Sequence, residues 1–251
     1  MELIKDMSKV VFIRHGKTDW ANQFTGWRDE ADITTDGLEQ TRFFASRLKE
    51  EKIDFDICFT SMLRRAIRTG LVVMDVLNQL WIPHFKAWQL NERHYGALQG
   101  MNKKQAVDEY GDEQVNVWRR SYDVPPPLLS ENDPTHPKND RKYKNVDPHL
   151  LPSGECLADV QKRTLPYWKT VIFPEIINGK NILISGNHNS MRSILMELDQ
   201  MSPLEVENLN IPYSIPLIYE FDDKGKVISK RYLADKSEIE ESIKLIKNQT
   251  K

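Results

Sequence analysis

The sequence of 251 residues predicts an α/β fold in which helices cover both faces of a mostly parallel sheet. Short apolar runs alternate with longer helical patterns along most of the chain. The first run, residues 10–13, is a buried-type strand that leads directly into Arg14, His15 and Gly16. In sheets of this kind, ligands bind beyond the carboxyl ends of the strands. We therefore expect His15 to lie at a ligand site.

The predicted elements can be placed along the chain. Strands are predicted over residues 10–13, 55–59, 82–85, 181–185, 217–221 and 227–233. Helices are predicted over residues 35–50, 62–80, 103–110, 154–178 and 190–198, with shorter ones after Ser202 and Ser237. The expected helix caps are Thr60–Ser61, Asn102, and two capping boxes that pair Ser202 with Glu205 and Ser237 with Glu240. The last two strands should form an antiparallel pair, because residues 222–225 are typical of a turn.

The pattern indicates a single domain over residues 10–235. Residues 1–9 are polar and predict a disordered lead, and residues 236–251 predict a mobile C-terminal tail. Within the domain, residues 122–152 are rich in proline, aspartate and asparagine, which excludes a long helix or a central strand. A loop this long in a compact domain is commonly functional, for example as a lid. We interpret it as an insertion, because the sheet pattern resumes after it.

Composition argues against some partners without naming one. The formal net charge is −2, so no global field favours nucleic acid or a membrane surface. The two cysteines, Cys58 and Cys156, lie far apart in the sequence, and neither a signal peptide nor an apolar run of membrane-spanning length is apparent. We therefore expect a cytoplasmic protein whose thiols stay reduced.

The turn after the first strand combines three residues suited to phosphoryl chemistry. A neutral imidazole such as that of His15 is a good nucleophile toward phosphorus. The adjacent Arg14 guanidinium can bind phosphate oxygens bidentately, and Gly16 allows backbone N–H groups to approach an anion. Because three residues of this kind also occur together by chance, the prediction depends on the motifs that accompany them.

A second constellation is formed by residues 90–100, which read LNERHYGALQG. The chain also contains FTGW at 24–27, LRRA at 63–66, WRRS at 118–121, VPPP at 124–127 and NIP at 210–212. In the order and spacing of these motifs it resembles the cofactor-dependent phosphoglycerate mutases, a branch of the histidine phosphatase superfamily. The resemblance runs from about residue 10 to residue 233. It implies a three-layer α/β/α fold of the phosphoglycerate mutase type. It also implies interconversion of 3-phosphoglycerate and 2-phosphoglycerate, with 2,3-bisphosphoglycerate as the priming phosphate donor.

The residues are chemically suited to substrates of this class, which carry a carboxylate and one or two phosphates. Arg14 and Arg65 can clamp the transferring phosphoryl group, and the other cations, Lys103, Arg119 and Arg120, can hold the carboxylate and a distal phosphate. Since these side chains supply the positive charge, no metal is expected. Moving a phosphoryl group between hydroxyls also needs a proton relay, for which Glu92 is the candidate general acid and base.

The resemblance implies a role for each member of a larger set. It implies that His15 becomes the phosphohistidine and that Glu92 donates the proton. It adds substrate contacts at Thr25, Gly26, Tyr95 and an asparagine, for which Asn22 and Asn189 are the candidates. It also implies a homodimer or a homotetramer that acts on a small phosphorylated substrate.

The chain departs from the family where a second active-site histidine is expected, in a His-Gly-Asn-Ser pattern after a strand. Residues 185–190 read SGNHNS, so Asn187 takes the histidine position and His188 takes the glycine position. An asparagine donates a hydrogen bond without bringing a charge, and loss of such an electrostatic donor costs on the order of 10²–10³ in rate. His188 is a candidate substitute. Neighbouring residues that leave a strand point to opposite sides, so this substitution requires a changed turn.

Two alternative functions follow from this departure. One is a slow bisphosphoglycerate synthase or phosphatase, in which water intercepts the phosphohistidine. The other is a catalytically weakened member that binds a phosphorylated metabolite or a protein partner. Retention of the nucleophile and the acid argues against the second alternative, because a binding protein needs neither.

Overall fold

A six-stranded mixed sheet forms the centre of the computed structural model, which describes residues 7–247. The strands are β1 (Ser8–Arg14), β2 (Ile57–Thr60), β3 (His84–Lys86), β4 (Ile182–Gly186), β5 (Leu217–Phe221) and β6 (Val227–Tyr232). They lie in the order β3-β2-β4-β1-β5-β6. The first four in this order are parallel, whereas β5 runs antiparallel to β1 and β6 antiparallel to β5. The predicted mostly parallel sheet and its C-terminal antiparallel pair are confirmed.

Helices cover the two faces of this sheet, as predicted. They are α1 (Thr35–Glu50), α2 (Arg64–Val76), α3 (Lys103–Tyr110), α4 (Asp112–Arg120), α5 (Leu157–Tyr167), α6 (Phe173–Ile177), α7 (His188–Leu198), α8 (Pro203–Asn208) and α9 (Lys236–Lys247). Side chains of β1 alternate between two cores, because successive residues of a strand point to opposite faces. Val10 and Phe12 pack into one core, while Val11 and Ile13 pack into the other.

Local capping signals place several of these helices where the sequence predicts them. The side chain of Asn102 accepts hydrogen bonds from the first N–H groups of α3, and Gly111 ends that helix at a φ of 84°. Ser202 and Glu205 form the predicted capping box at the start of α8. The bounds of α1 also match the prediction. Short-range hydrogen bonds therefore set these ends.

Other boundaries differ from the prediction. The strand β1 begins at Ser8, where its backbone pairs with β5, so Ser8 and Lys9 are not part of a disordered lead. Residues 1–6 of that lead lie outside the described residues. The predicted cap at Thr60–Ser61 is wrong, because Thr60 belongs to β2 and α2 begins only at Arg64 with no side-chain cap. The helix α4 was not predicted; its last turn carries the cations of WRRS.

The predicted helix 154–178 is interrupted as its two prolines suggest. Pro166 lies in the last turn of α5 and Pro174 in the first turn of α6, with a π-helical turn over Trp168–Ile172 between them. Proline has no N–H group to donate to the preceding turn, so the hydrogen-bond ladder shifts there.

The loop of residues 122–152 and the helix α9 both pack on the domain, through Tyr143 and Leu151 in the loop and Ile246 in the helix. Residues 122–152 contain three short 3₁₀ turns and no longer helix or strand, as their composition predicts. The predicted capping box of Ser237 and Glu240 is wrong, because α9 begins at Lys236 and the Asp235 N–H donates to Glu238 instead. Glu238 also accepts two hydrogen bonds from Arg47, at 2.7 and 2.8 Å.

Within residues 7–247, no helix is long and apolar enough to cross a membrane.

Candidate active site

His15 lies at the carboxyl end of β1, in a cleft formed where several strands end. Its backbone N–H donates to Gly186 at the end of the neighbouring β4. Its Nδ1 lies 2.8 Å from the carbonyl oxygen of Gly16, which can only accept. Nδ1 therefore carries the proton and Nε2 keeps its lone pair. Burial, reinforced by the charges of Arg65 and Arg14, holds the pKa of His15 well below its usual value, so the ring is neutral and nucleophilic at pH 7.

Arg14 and Arg65 line the same cleft as this imidazole. Arg14 donates to the carbonyl of Ile211 at 2.8 Å, and its guanidinium lies 3.9 Å from the ring centre of Tyr213. Arg65 is 1% exposed and donates to the carbonyls of Gly26 and Arg28. These contacts fix both guanidinium planes. The Nε–H groups of both arginines have no partner within the described residues, which leaves buried donors for an anion.

Glu92 enters the cleft with one carboxylate oxygen already anchored. Oε1 accepts from the N–H of Arg93 at 2.7 Å, from the side chain of Asn189 at 2.6 Å and from the Asn189 N–H at 3.2 Å. The second oxygen has one longer contact, at 3.4 Å to the same N–H of Asn189. Of the described residues that line the cleft, Glu92 is the one that carries a carboxylate.

Cations make up much of the lining of the cleft. Lys103, Arg119 and Arg120 all line it, together with the two arginines beside the histidine. Lys103 donates to the carbonyl of Ala21 at 2.6 Å, and Arg120 donates to Asn210 at 3.2 Å. Burial lowers the pKa of Arg119 to about 10, and burial with repulsion from Arg119 holds the pKa of Lys103 well below its usual value. These shifts show that cations crowd together here without enough negative charge between them.

The predicted substrate contacts separate into two groups. Thr25, Gly26, Tyr95 and Asn189 line the cleft, whereas Asn22 does not. The Asn22 carbonyl instead accepts from the backbone of Lys103, and the neighbouring Gln23 lines the cleft in its place. The structure thus places Gln23, and not Asn22, in the wall of the cleft. Gly26 has a φ of 49°, and a side chain there would collide with Gln99.

The two candidates for the role of the second histidine, Asn187 and His188, lie in different surroundings. Asn187 is fully buried and does not line the cleft; its amide donates to Ser61 at 2.9 Å and to the carbonyl of Leu90 at 3.3 Å. It continues the alternation of β4, since Ser185 on the same face contacts Ala66 of α2. His188, the first residue of α7, turns the other way and lines the cleft.

His188 has the features of an unsatisfied ligand-facing group. Its Nε2 is buried and has no partner within the described residues. Burial, with repulsion from Arg14 and Arg192, holds its pKa well below the usual value. The ring is therefore neutral, so it can offer a hydrogen bond but not a charge.

Several further residues contribute to the site. Thr18, Gln23 and Tyr213 line the cleft, and Arg93 and Arg192 are buried behind it. Arg192 donates to Oδ1 of Asn189 at 2.9 Å, which turns the amide nitrogen toward Glu92. Arg93 donates to the Arg119 carbonyl at 2.6 Å, while its Nε and Nη1 have no partner within residues 7–247. Arg93 lies in the LNERHYGALQG motif, which was the available signal for it.

Comparison with known proteins agrees with this geometry. The family model of the histidine phosphatase superfamily, branch 1, matches residues 10–133. A 2,3-bisphosphoglycerate-dependent phosphoglycerate mutase 2 of Lactiplantibacillus plantarum is 45% identical over 229 residues, covering 90% of this chain and 99% of that protein. A 2,3-bisphosphoglycerate-dependent phosphoglycerate mutase of Lachnoclostridium phytofermentans is 43% identical over 245 residues, covering 97% and 98%.

A solved structure shows the same fold. The phosphoglycerate mutase from Bacillus anthracis superposes with a TM-score of 0.65 at 17% identity, covering 97% of this chain and 100% of that one. Fold and cleft thus define a member of the histidine phosphatase class, with a histidine at the end of the first strand. Within that class, the chain belongs to the family of 2,3-bisphosphoglycerate-dependent phosphoglycerate mutases.

Proposed function

We propose that this protein interconverts 3-phosphoglycerate and 2-phosphoglycerate through a phosphohistidine on His15. The observation that carries the proposal is the pairing of a neutral, buried His15 with one carboxylate, Glu92, in a cleft lined by cations. The nucleophile needs its lone pair, and the proton relay needs the carboxyl group. Two relatives at 43–45% identity over most of the chain carry the name of this activity.

The cleft suits 2,3-bisphosphoglycerate as the group that primes His15 with a phosphoryl group. Five cations line it, namely Arg14, Arg65, Lys103, Arg119 and Arg120, against the single carboxylate of Glu92. Buried N–H groups of Arg14, Arg65 and Arg93, and the buried Nε2 of His188, have no partner among the described residues. A ligand with several negative charges would satisfy these donors and relieve the repulsion between the cations. Within the described residues, no group of histidine, cysteine and carboxylate side chains could hold a metal ion.

Each of these residues then has a role in the phosphoryl transfer. Nε2 of His15 attacks phosphorus, and the bond from phosphorus to the leaving oxygen breaks. The electron pair goes to that oxygen, which takes the proton carried by Glu92. Arg14 and Arg65 offset the charge on the equatorial oxygens, as a preorganised clamp should. The return step uses Glu92 as a base toward the other hydroxyl. Lys103, Arg119 and Arg120 hold the remaining anionic groups while the substrate reorients.

We also assign the role of the second histidine to His188. His188 lines the cleft and its buried Nε2 has no partner among the described residues, whereas the amide of Asn187 donates to Ser61. As a neutral ring among arginines, His188 contributes a hydrogen bond to the transferring group. The alternative of a catalytically weakened binding protein rests on Asn187 alone, so the placement of His188 supports catalysis instead.

The test is the covalent state of His15. Incubation with 2,3-bisphosphoglycerate should add one acid-labile phosphoryl group by intact-mass measurement. His15→Ala should abolish the adduct, whereas the matched control His149→Ala, in the exposed loop, should keep it. Conversion of 3-phosphoglycerate, followed by phosphorus NMR, should then exceed release of inorganic phosphate. An unmodified parent protein would refute catalysis, and phosphate release as the main product would favour the phosphatase alternative.

We further propose a homodimer joined at the β3 edge of the sheet. Trp81 is 77% exposed and Phe85 51% exposed beside this edge, whereas the opposite edge strand β6 presents Lys230 and Arg231. Charged edge strands resist pairing, while an apolar edge invites it. Trp81→Glu should shift the mass from light scattering toward the monomer. The control Ile228→Glu, on β6, should not, and a monomeric parent protein would exclude the dimer.

A cytoplasmic location is proposed as well. Its support is that Cys58 and Cys156 are both free and buried, as expected of thiols in a reducing compartment.

A further inference from the structure

Arg163 of α5 is a buried cation that lies outside the cleft. Its side chain is 7% exposed, and that of its partner Glu155 is 4% exposed. Nε of Arg163 donates to one carboxylate oxygen of Glu155 at 2.6 Å, and Nη2 donates to the other at 2.9 Å. This bidentate pair is the strong geometry for arginine and carboxylate. A charge pair this deeply buried must make further hydrogen bonds to offset its desolvation.

Those further bonds all go to the chain on either side of Glu92. Arg163 donates to three backbone carbonyls within four residues, those of Gln89 at 2.8 Å, Asn91 at 3.1 Å and Glu92 at 2.9 Å. On the far side, Glu155 accepts from the N–H of His94 at 2.8 Å, and its own N–H donates to the His94 carbonyl at 2.8 Å. The residues from Gln89 to His94 are thus held from both ends.

Other side chains also hold parts of this segment: Thr164 donates to the Gln89 carbonyl at 2.9 Å, and Asn187 donates to the Leu90 carbonyl at 3.3 Å. Between the 3₁₀ turns Trp88–Leu90 and Gly96–Leu98 the segment forms neither helix nor strand, so its carbonyls lack the partners that regular structure supplies. The Glu92 carbonyl has one additional donor, the indole N–H of Trp27, and the Arg163 guanidinium lies 5.5 Å from the Trp27 ring centre. Arg163 is thus one of several groups that hold this segment, and it donates to three of its carbonyls, including that of Glu92.

We infer that Arg163 and Glu155 are positioning residues, which clamp the backbone of Glu92 so that its carboxyl reaches the oxygen leaving phosphorus. The inference rests on the proposed proton-donor role of Glu92. Neither residue lines the cleft, so neither touches the substrate. Their effect acts through geometry, and a displacement of about 1 Å at a reacting group can cost on the order of 10²-fold in rate.

A comparison of two phosphoryl donors with different leaving groups distinguishes a positioning role from a merely structural one. In both reactions compared, Nε2 of His15 bonds to phosphorus and the phosphorus–oxygen bond breaks. With 2,3-bisphosphoglycerate the departing oxygen is an alkoxide and needs the Glu92 proton. With p-nitrophenyl phosphate it is a stable phenolate and does not. A displaced acid therefore slows the first reaction selectively, because general acid catalysis contributes about 10²–10⁴-fold only where a proton is needed.

The experiment measures the rate of phosphorylation of His15 by rapid quench and intact mass, with each donor in turn. Arg163→Met should lose roughly 10- to 100-fold with 2,3-bisphosphoglycerate and less than about threefold with p-nitrophenyl phosphate. Arg163→Lys keeps the charge without the forked donors and should show a smaller selective loss, as should Glu155→Gln. Lys162→Met is the matched control, because Lys162 is next to Arg163 in the sequence but its side chain is 77% exposed. Its phosphorylation rates with both donors should stay at the parent values.

Two outcomes overturn the inference. If the phosphorylation rate of Arg163→Met falls equally with both phosphoryl donors, the pair is merely structural. If Arg163→Met does not fold, the same comparison is made with Arg163→Lys and Glu155→Gln. Parent rates with both donors would show that the pair is dispensable. Glu92→Gln identifies a failure of the underlying assignment: if it shows no selectivity for the donor, the acid role of Glu92 fails. If it is selective and the Arg163 variants are not, the clamp alone fails.

Discussion

The amide of Asn189 and the carboxylate of Glu92 are joined by a hydrogen bond of 2.6 Å, and the direction of that amide is set from behind. Arg192 donates to Oδ1 of Asn189, so the nitrogen end faces Glu92. Asn189 therefore orients Glu92, the proposed proton donor, and is also a residue of the cleft wall. The interaction with a charged acceptor belongs to the stronger class of protein hydrogen bonds.

Replacement of Asn189 should therefore impair proton transfer. A hydrogen bond to a charged group contributes about 1.5–3 kcal/mol, which corresponds to roughly 10- to 100-fold in rate. We expect Asn189→Ala to lower kcat for 3-phosphoglycerate by that factor in steady-state assays. Asn116→Ala, at an exposed asparagine of α4, is the control and should keep the parent kcat. An unchanged kcat in Asn189→Ala would show that Glu92 is oriented by its other donors.

The proposed role of His188, in place of Asn187, predicts different results at these two adjacent positions. His188→Asn removes the ring that faces the cleft and should lower the mutase rate on the order of 10²-fold. Asn187→His forces a larger side chain into a buried site that is 0% exposed, so it should cost about 1–3 kcal/mol of unfolding free energy without raising the rate. Kinetics and urea unfolding of both variants test this. A faster Asn187→His variant would return the role to position 187.

The protonation of His15 predicts the pH dependence of its phosphorylation. Attack requires the neutral ring, and burial together with Arg65 and Arg14 lowers its pKa. The rate of phosphorylation by p-nitrophenyl phosphate should therefore stay constant as the pH falls through 6.5. It should decline only at lower pH, where the ring of His15 becomes protonated. Arg65→Gln removes one of these charges and so raises the pKa of His15 part of the way toward 6.5. The decline in rate should then begin at a higher pH, and the constant rate above it should be lower than that of the parent. Arg64→Gln, whose side chain is 53% exposed, should leave the profile in place.

His94 predicts a loss of stability in acid. Burial lowers its pKa to about 3 in the folded protein, against 6.5 when exposed. The unfolded chain therefore binds the extra proton between these values, and the stabilisation of the folded state is lost as pH falls below 6.5. Between pH 7.5 and pH 5.5 this group alone should reduce the unfolding free energy by about 1.4 kcal/mol. Urea unfolding of His94→Gln should show a smaller reduction than the parent; an equal one would contradict the assignment.

Short-range pattern determined much of this protein in advance. The alternation of apolar runs and helices predicted the sheet, and local hydrogen bonding placed Asn102 and Ser202 at helix starts. The run into Arg14 and His15 predicted a histidine at a strand end, and the motifs around it indicated the family. These features depend on residues a few positions apart, which is why the sequence alone was sufficient for them.

Only the tertiary structure decided which side chain of a neighbouring pair faces the cleft. Asn187 continues the alternation of β4 while His188 begins a helix, and the angle of that junction depends on packing between β4, α2 and α7. Arg163 likewise reaches Glu92 from about 70 residues away in sequence, through contacts to backbone carbonyls. Such contacts carry no periodic signal, because carbonyl groups are the same for every residue type. The sequence thus indicated the nucleophile and the acid, and the fold decided how each is held.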